Sequence, residues 1–155
     1  MSYLIDCFKT SYKRFTNIRK ILEIKNLKDN WNGYGAKIIS DKVIDLAIKI
    51  VNKLEDQSFS IYPVARNSIQ IEYNLDDRSH LEFEIFEDKI SLLFVKGSDR
   101  SLPYGELKLL AINKYIHIYD TIAIDMNIII ELFLNKQFDE LAKFSNIMKN
   151  KGEYK

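Results

Sequence analysis

The chain has 155 residues, of which 46% are hydrophobic and 29% charged, with nine Tyr, nine Phe and one Trp but only five Gly and two Pro. That is the composition of one globular domain with long structured elements, and it excludes a disordered polar segment. A net charge of +1 excludes binding to nucleic acid through bulk charge. One cysteine excludes an internal disulfide and a cysteine zinc cluster, and two histidines are too few for a multi-imidazole metal centre.

Residues 3–27 are predicted to form a long helix, because Ile5, Phe8, Tyr12, Phe15, Arg19 and Leu22 recur three or four apart and all but Arg19 are apolar. Cys7 lies within it and is expected to pack. The helix is basic: Lys9, Lys13, Arg14, Arg19, Lys20, Lys25 and Lys28 face only Asp6 and Glu23 over residues 1–28, a local charge of +5. The N-terminus lacks the uninterrupted apolar run of a signal peptide. The most apolar stretch, Tyr115 to Leu134, contains His117, Asp120, Asp125, Asn127 and Glu131, so no membrane contact is expected and the expected location is cytoplasmic.

Lys28-Asp29-Asn30-Trp31-Asn32-Gly33-Tyr34-Gly35-Ala36 ends the helix, since Asn and Gly favour turns and positive φ. At least one of Gly33 and Gly35 is expected to have positive φ, and Trp31 is expected to be mostly buried, closing the core between two helices together with Tyr34. The same two aromatics are candidate anchors at a partner interface, where Trp and Tyr dominate binding energy. Ser40 is the expected N-cap of a second helix over about 41–55, with Ile44, Ala47, Ile48, Val51 and Leu54 on one face.

After Gln57 the period changes from about 3.6 to 2, the mark of antiparallel strands covered on one face. Ile69, Ile71 and Tyr73 alternate with polar residues, as do Leu81, Phe83 and Ile85. With Phe59–Val64 and Ile90–Val95 as flanking strands, the short breaks predict a four-stranded meander over about 59–96. Strand four is apolar on both faces, so a helix is expected to cover its second side. Residues 66–89 carry Arg66, Arg78 and Lys89 against Glu72, Asp76, Asp77, Glu82, Glu84, Glu87 and Asp88, a local charge of −4. The simplest expectation is that this acidic sheet pairs with the basic first helix.

Gly97–Pro103 is predicted to be a loop. From Tyr104 the pattern is mixed: Leu107, Leu110, Ala111 and Ile118 suit a helix, whereas Tyr115–Tyr119 suits a short strand. Asp125–Asn135 and Phe138–Met148 are predicted helices, and the lysine-rich end from Lys149 is expected to fray. The chain therefore forms a single α+β domain, 1–155. A four-stranded antiparallel meander packs in it against N-terminal helices and a helical region over about 104–148.

The chain has no phosphate-binding glycine loop, no nucleophile elbow and no HExxH pair. Glu72, His80, Glu82 and Glu84 share one face of the sheet by parity and would suit Mg²⁺ or Mn²⁺ in a nuclease-like site. No lysine follows two positions after Glu82 or Glu84, as a restriction-type nuclease core requires, and a solvated strand face accounts for the same residues. No catalytic residue, metal or cofactor is assigned.

The segment from Leu27 to Ala36, followed by a helix and by strands of the type Ile-Gln-Ile-Glu-Tyr and Leu-Glu-Phe-Glu-Ile, resembles a group of small uncharacterised bacterial proteins with a W-(D/N)-G-Y-(G/D)-A motif. The resemblance covers roughly residues 20–96 and supplies no activity. Small proteins of this kind are often carried by mobile elements as antitoxins, immunity proteins or phage-encoded inhibitors of host defence. The resulting expectation is a non-enzymatic module that masks a partner protein, a toxin or a defence-system component, through Trp31, Tyr34, Glu72, Glu82 and Glu84. A metal-dependent nuclease on the acidic face is the alternative, as is a nucleic-acid-binding module using the basic helix, for which only weak binding is expected.

Overall fold

The computed structural model describes residues 1–97, 103–109 and 117–151. Helix α1 runs over Ser2–Lys25 and α2 over Asp41–Lys53. Four strands follow: β1 Ser60–Val64, β2 Ser68–Asn74, β3 His80–Ile85 and β4 Ile90–Val95. They form the expected antiparallel meander, and a fifth strand, β5 Pro103–Leu109, extends it beyond β4. Helices α3 His117–Leu134 and α4 Phe138–Lys151 complete the α+β domain. No described helix is long and apolar enough to cross a membrane.

One sheet face makes the core. Ile69, Ile71, Leu81, Phe83 and Ile85 are all fully buried there, in the predicted register, with Ile71 opposite Phe83 and Ile69 opposite Ile85. Each side chain of this size contributes about 1.5–3 kcal/mol by burial. Helix α2 lies over β2 and β3 and buries Val43, Ile44, Leu46, Ala47, Ile50 and Val51, more of its circumference than one face. Its N-terminus is capped as expected, the Ser40 hydroxyl accepting from Val43 N at 3.4 Å. At its C-terminus Gln57 Nε2 donates to the carbonyls of Val51 and Leu54, and Asn127 of α3 bonds both Lys53 O and Glu55 N. Phe94, Phe133 and Phe138 tie β4, α3 and α4 together, with ring centroids 5.3–6.2 Å apart.

Four expectations change. Residues 103–109 are a strand paired with β4 rather than the start of a helical region: Glu106 and Lys108 alternate with Leu107 and Leu109, and the ladder opposes Leu92 to Leu107. The proposed short strand over Tyr115–Tyr119 gives way, from His117 on, to α3, while 110–116 lie outside the described residues. Helix α4 continues through Lys149 to Lys151. The second face of β4, carrying Ser91, Leu93 and Val95, stays half-buried, and among the described residues no helix packs on it.

The largest difference is in α1. Its predicted apolar row, Ile5, Phe8, Tyr12, Phe15 and Leu22, points into solvent, as does Cys7. The body is met by a second row, in which Ile21 and Ile24 are buried across the helix from Phe8 and Tyr12, while Ile18 is half-buried at the border between the rows, about 40° from Leu22 at 100° per residue. That row packs on α2 and the β1 edge.

Candidate functional site

The α1–α2 connection is built by three side chains that hydrogen-bond the backbone around them. Asn30 Oδ1 accepts from Gly35 N at 2.7 Å, and Asn32 Oδ1 accepts from Tyr34 N at 2.9 Å and Ala36 N at 3.1 Å. Asp29 Oδ1 accepts from Ile38 N, and its Oδ2 takes the Lys37 ammonium at 2.8 Å. The hydrogen bond from Lys37 is the main reason the Asp29 carboxyl titrates below its ordinary range. Gly33 and Gly35 have φ of +75° and +85°, and Asn30 has +65°, so the motif spells out a left-handed path that few other residues allow.

Trp31 and Tyr34 end up in different settings. Trp31 is half-buried rather than mostly buried, and its Nε1 donates to Lys37 O at 2.9 Å, bracing the loop. Tyr34 does not close the core; it is 93% exposed. Ala36 and Ile39 take the buried positions between the helices instead. The loop thus holds one aromatic ring out in solvent on a backbone fixed from several directions.

The polar face of the sheet has the predicted parity. Cross-strand register places Glu72 beside Glu82, Gln70 beside Glu84 and Asn74 beside His80. Leu93 and Val95 lie next along from Glu82 and His80 on β4. Glu84 nonetheless leaves the acidic group. Its side chain is 5% exposed and is gripped by Arg66, whose Nε donates at 2.6 Å, and by the Ser68 hydroxyl. Burial alone would raise the Glu84 pKa; the hydrogen bonds from Arg66 and Ser68 outweigh it, and the carboxyl titrates below its ordinary 4.5.

Glu72, His80 and Glu82 remain together, all half-buried, with ligand atoms within 4.8 Å of one another. His80 Nε2 lies 3.2 Å from Glu82 Oε2, and Nδ1 lies 2.8 Å from Asn74 Oδ1. The bond to Glu82 raises the imidazole pKa, against the opposing effect of burial. Two carboxylates and one imidazole offer a cation three ligands, and no lysine or arginine is hydrogen-bonded or ion-paired to the group among the described residues. The three have no contact with Tyr34 either, so the five predicted partner residues divide between a loop, an open sheet face and a buried ion pair.

The expected pairing of α1 with the acidic sheet does not occur. Arg19 pairs with Glu23 of the same helix and Lys25 with Asp41 of α2, while Lys20 lies over the Tyr62 ring at 5.6 Å. An open cleft of about 280 Å³ between α1 and residues 57–59 holds a single charged group, Lys13. Sequence reading missed the exposed aromatic row of α1 as a surface, because its spacing is equally that of a core-facing stripe. Neither family models, nor curated proteins, nor solved structures match the chain.

Proposed function

We propose that the chain is a non-enzymatic binding protein that masks a partner protein stoichiometrically, in the manner of an antitoxin or a phage-type inhibitor of bacterial defence, in a cytoplasmic setting. The observation that carries this reading is Tyr34: an aromatic ring 93% exposed on a loop whose backbone is fixed by Asp29, Asn30, Asn32 and Trp31. Solvent exposure of a ring gives no stability to the monomer, whereas a pre-organised aromatic is the kind of residue that dominates an interface, since little ordering cost remains on binding. Replacing Tyr34 by a photo-crosslinking phenylalanine analogue in the native host tests it. A discrete protein should be captured at position 34 and not at exposed Asn52, and Tyr34→Ala should abolish the biological effect without changing the fold. Capture at neither position, or an unchanged effect in Tyr34→Ala, rejects the reading.

The grouping of Glu72, His80 and Glu82 favours a second reading, a metal-dependent activity on the sheet face. It requires turnover that depends on added Mg²⁺ or Mn²⁺ and disappears in Glu72→Gln with Glu82→Gln.

A further inference from the structure

Glu72, His80 and Glu82 are brought together by the sheet itself. Glu72 on β2 directly opposes Glu82 on β3, and His80 lies two residues before Glu82 on the same face. The alternate residues Ile71, Tyr73, Leu81 and Phe83 are buried, which fixes the pleat that aims the three polar side chains outward together. Like charges set opposite each other across a ladder are unfavourable. Among the described residues Glu72 accepts only from Gln70 Nε2, and Glu82 meets only the His80 ring. Leu93 and Val95, next along on β4, help to leave the group half-buried, where uncompensated charge costs more than it does in water.

The imidazole makes this more than an acidic patch. Its Nδ1 lies 2.8 Å from Asn74 Oδ1, which can only accept, so Nδ1 carries the hydrogen of the neutral ring. The lone pair of Nε2 then points at Glu82 Oε2, 3.2 Å away, acceptor against acceptor. A proton on Nε2 joins those two groups but leaves Glu72 facing Glu82. A cation among the three donors satisfies all of them. The surrounding contacts are also those of a metal site, with one amide fixing the far nitrogen of the histidine and another holding an oxygen of Glu72.

We propose that Glu72, His80 and Glu82 form a divalent transition-metal site, and that zinc is the cation it takes. Two carboxylates balance the charge of zinc, and the imidazole favours it over magnesium and calcium, which select oxygen ligands. Donors about 2.0–2.2 Å from zinc stand up to about 4.4 Å from one another. The three ligand atoms already lie within 4.8 Å, so small side-chain rotations close the site. Three protein ligands leave the fourth position, on the open side of the sheet, to water. The site shares its residues with the metal-dependent reading above but not its turnover. Zinc bound without any reaction upholds the site and rejects only that reading.

Isothermal titration calorimetry of the full chain with zinc chloride tests the proposal. One zinc per chain should bind and raise the melting temperature, as a ligand of the folded state does. Glu72→Gln with Glu82→Gln should weaken binding by about a hundredfold or more, and His80→Gln and Asn74→Ala each by about tenfold or more. All should keep the wild-type circular dichroism. If one fails to fold, the ring signals of His80 in the wild-type proton NMR spectrum should still move on adding zinc. Cys7→Ser should bind as the wild type does, although that exposed thiol is itself zinc-reactive. The proposal is overturned by a wild type that takes up no zinc at millimolar concentration, or that binds magnesium as tightly. It is equally overturned by an affinity that survives the glutamine substitutions or that is lost in Cys7→Ser.

Discussion

Glu82 and Glu84 lie two positions apart on one strand, on one face, and have different fates. Glu84 is enclosed by Arg66 from the β1–β2 turn and by Ser68, while Glu82 faces Glu72 and His80. Alternation in the sequence made the shared face legible, but it gave no indication that a turn arginine eighteen residues away folds back onto one of the two. Glu84→Gln should therefore cost about 1–3 kcal/mol in urea titration at pH 7, whereas Glu72→Gln, which removes a like-charge opposition, should change stability by less than about 0.5 kcal/mol or raise it. The folded-state pKa of Glu84 lies below its ordinary 4.5, so its contribution is present above that pH and is lost as the pH falls through the lower folded value. The stability gap between wild type and Glu84→Gln should accordingly close on acidification. At Gly33 and Gly35 an added Cβ meets no atom within 4 Å, so only the backbone opposes substitution. Alanine at either position should lower stability by about 1 kcal/mol, and Asn, which tolerates this conformation, by less. Thermal melts of the four variants decide this.

At the scale of elements, existence and limits were legible where the hydrophobic period was sustained. Ser40 capped the second helix, and the change of period after Gln57 marked the sheet. The orientation of α1 was not legible. Aromatic residues and isoleucines form two rows on that helix, both spaced three or four apart, and only tertiary packing decides that Ile21 and Ile24 go inside. Ile21→Ala should consequently cost about 2–5 kcal/mol, while Phe8→Ser should shift the urea midpoint by no more than about 0.5 kcal/mol equivalent. Comparable losses for both variants would show that the aromatic row packs on the body. Strand β5 went unread because its alternation is brief and begins at Pro103, leaving the leucines beyond it to suggest a helix.

For the whole molecule, the order of β1 to β4 follows directly from short hairpin breaks, each strand pairing with its neighbour in sequence. The charge asymmetry between the first helix and the sheet was legible as well; what it is for was not, because a sequence cannot show that the two regions fail to meet. With both signs exposed and a net charge of +1, association with nucleic acid should be weak and should fall steeply with salt. Titration of labelled duplex DNA at two ionic strengths checks this.

Gln57, buried in the connection between α2 and β1, has a consequence in time as well as in space. Its amide nitrogen closes the end of α2, and its side-chain and main-chain oxygens both accept from Asn17 Nδ2 at 3.1 Å, while Arg14 reaches Leu54 O alongside. Those bonds attach α1 from Arg14 onward to the end of α2, whereas residues 1–9 are exposed. One continuous helix is thereby divided into two kinetic regimes. Amide protons beyond Arg14 should exchange with deuterium only when the whole domain opens, and those in the first two turns should exchange through local fraying that the rest of the molecule does not register. Gln57→Ala should shift that boundary toward Lys25, lengthening the stretch of fast-exchanging helix.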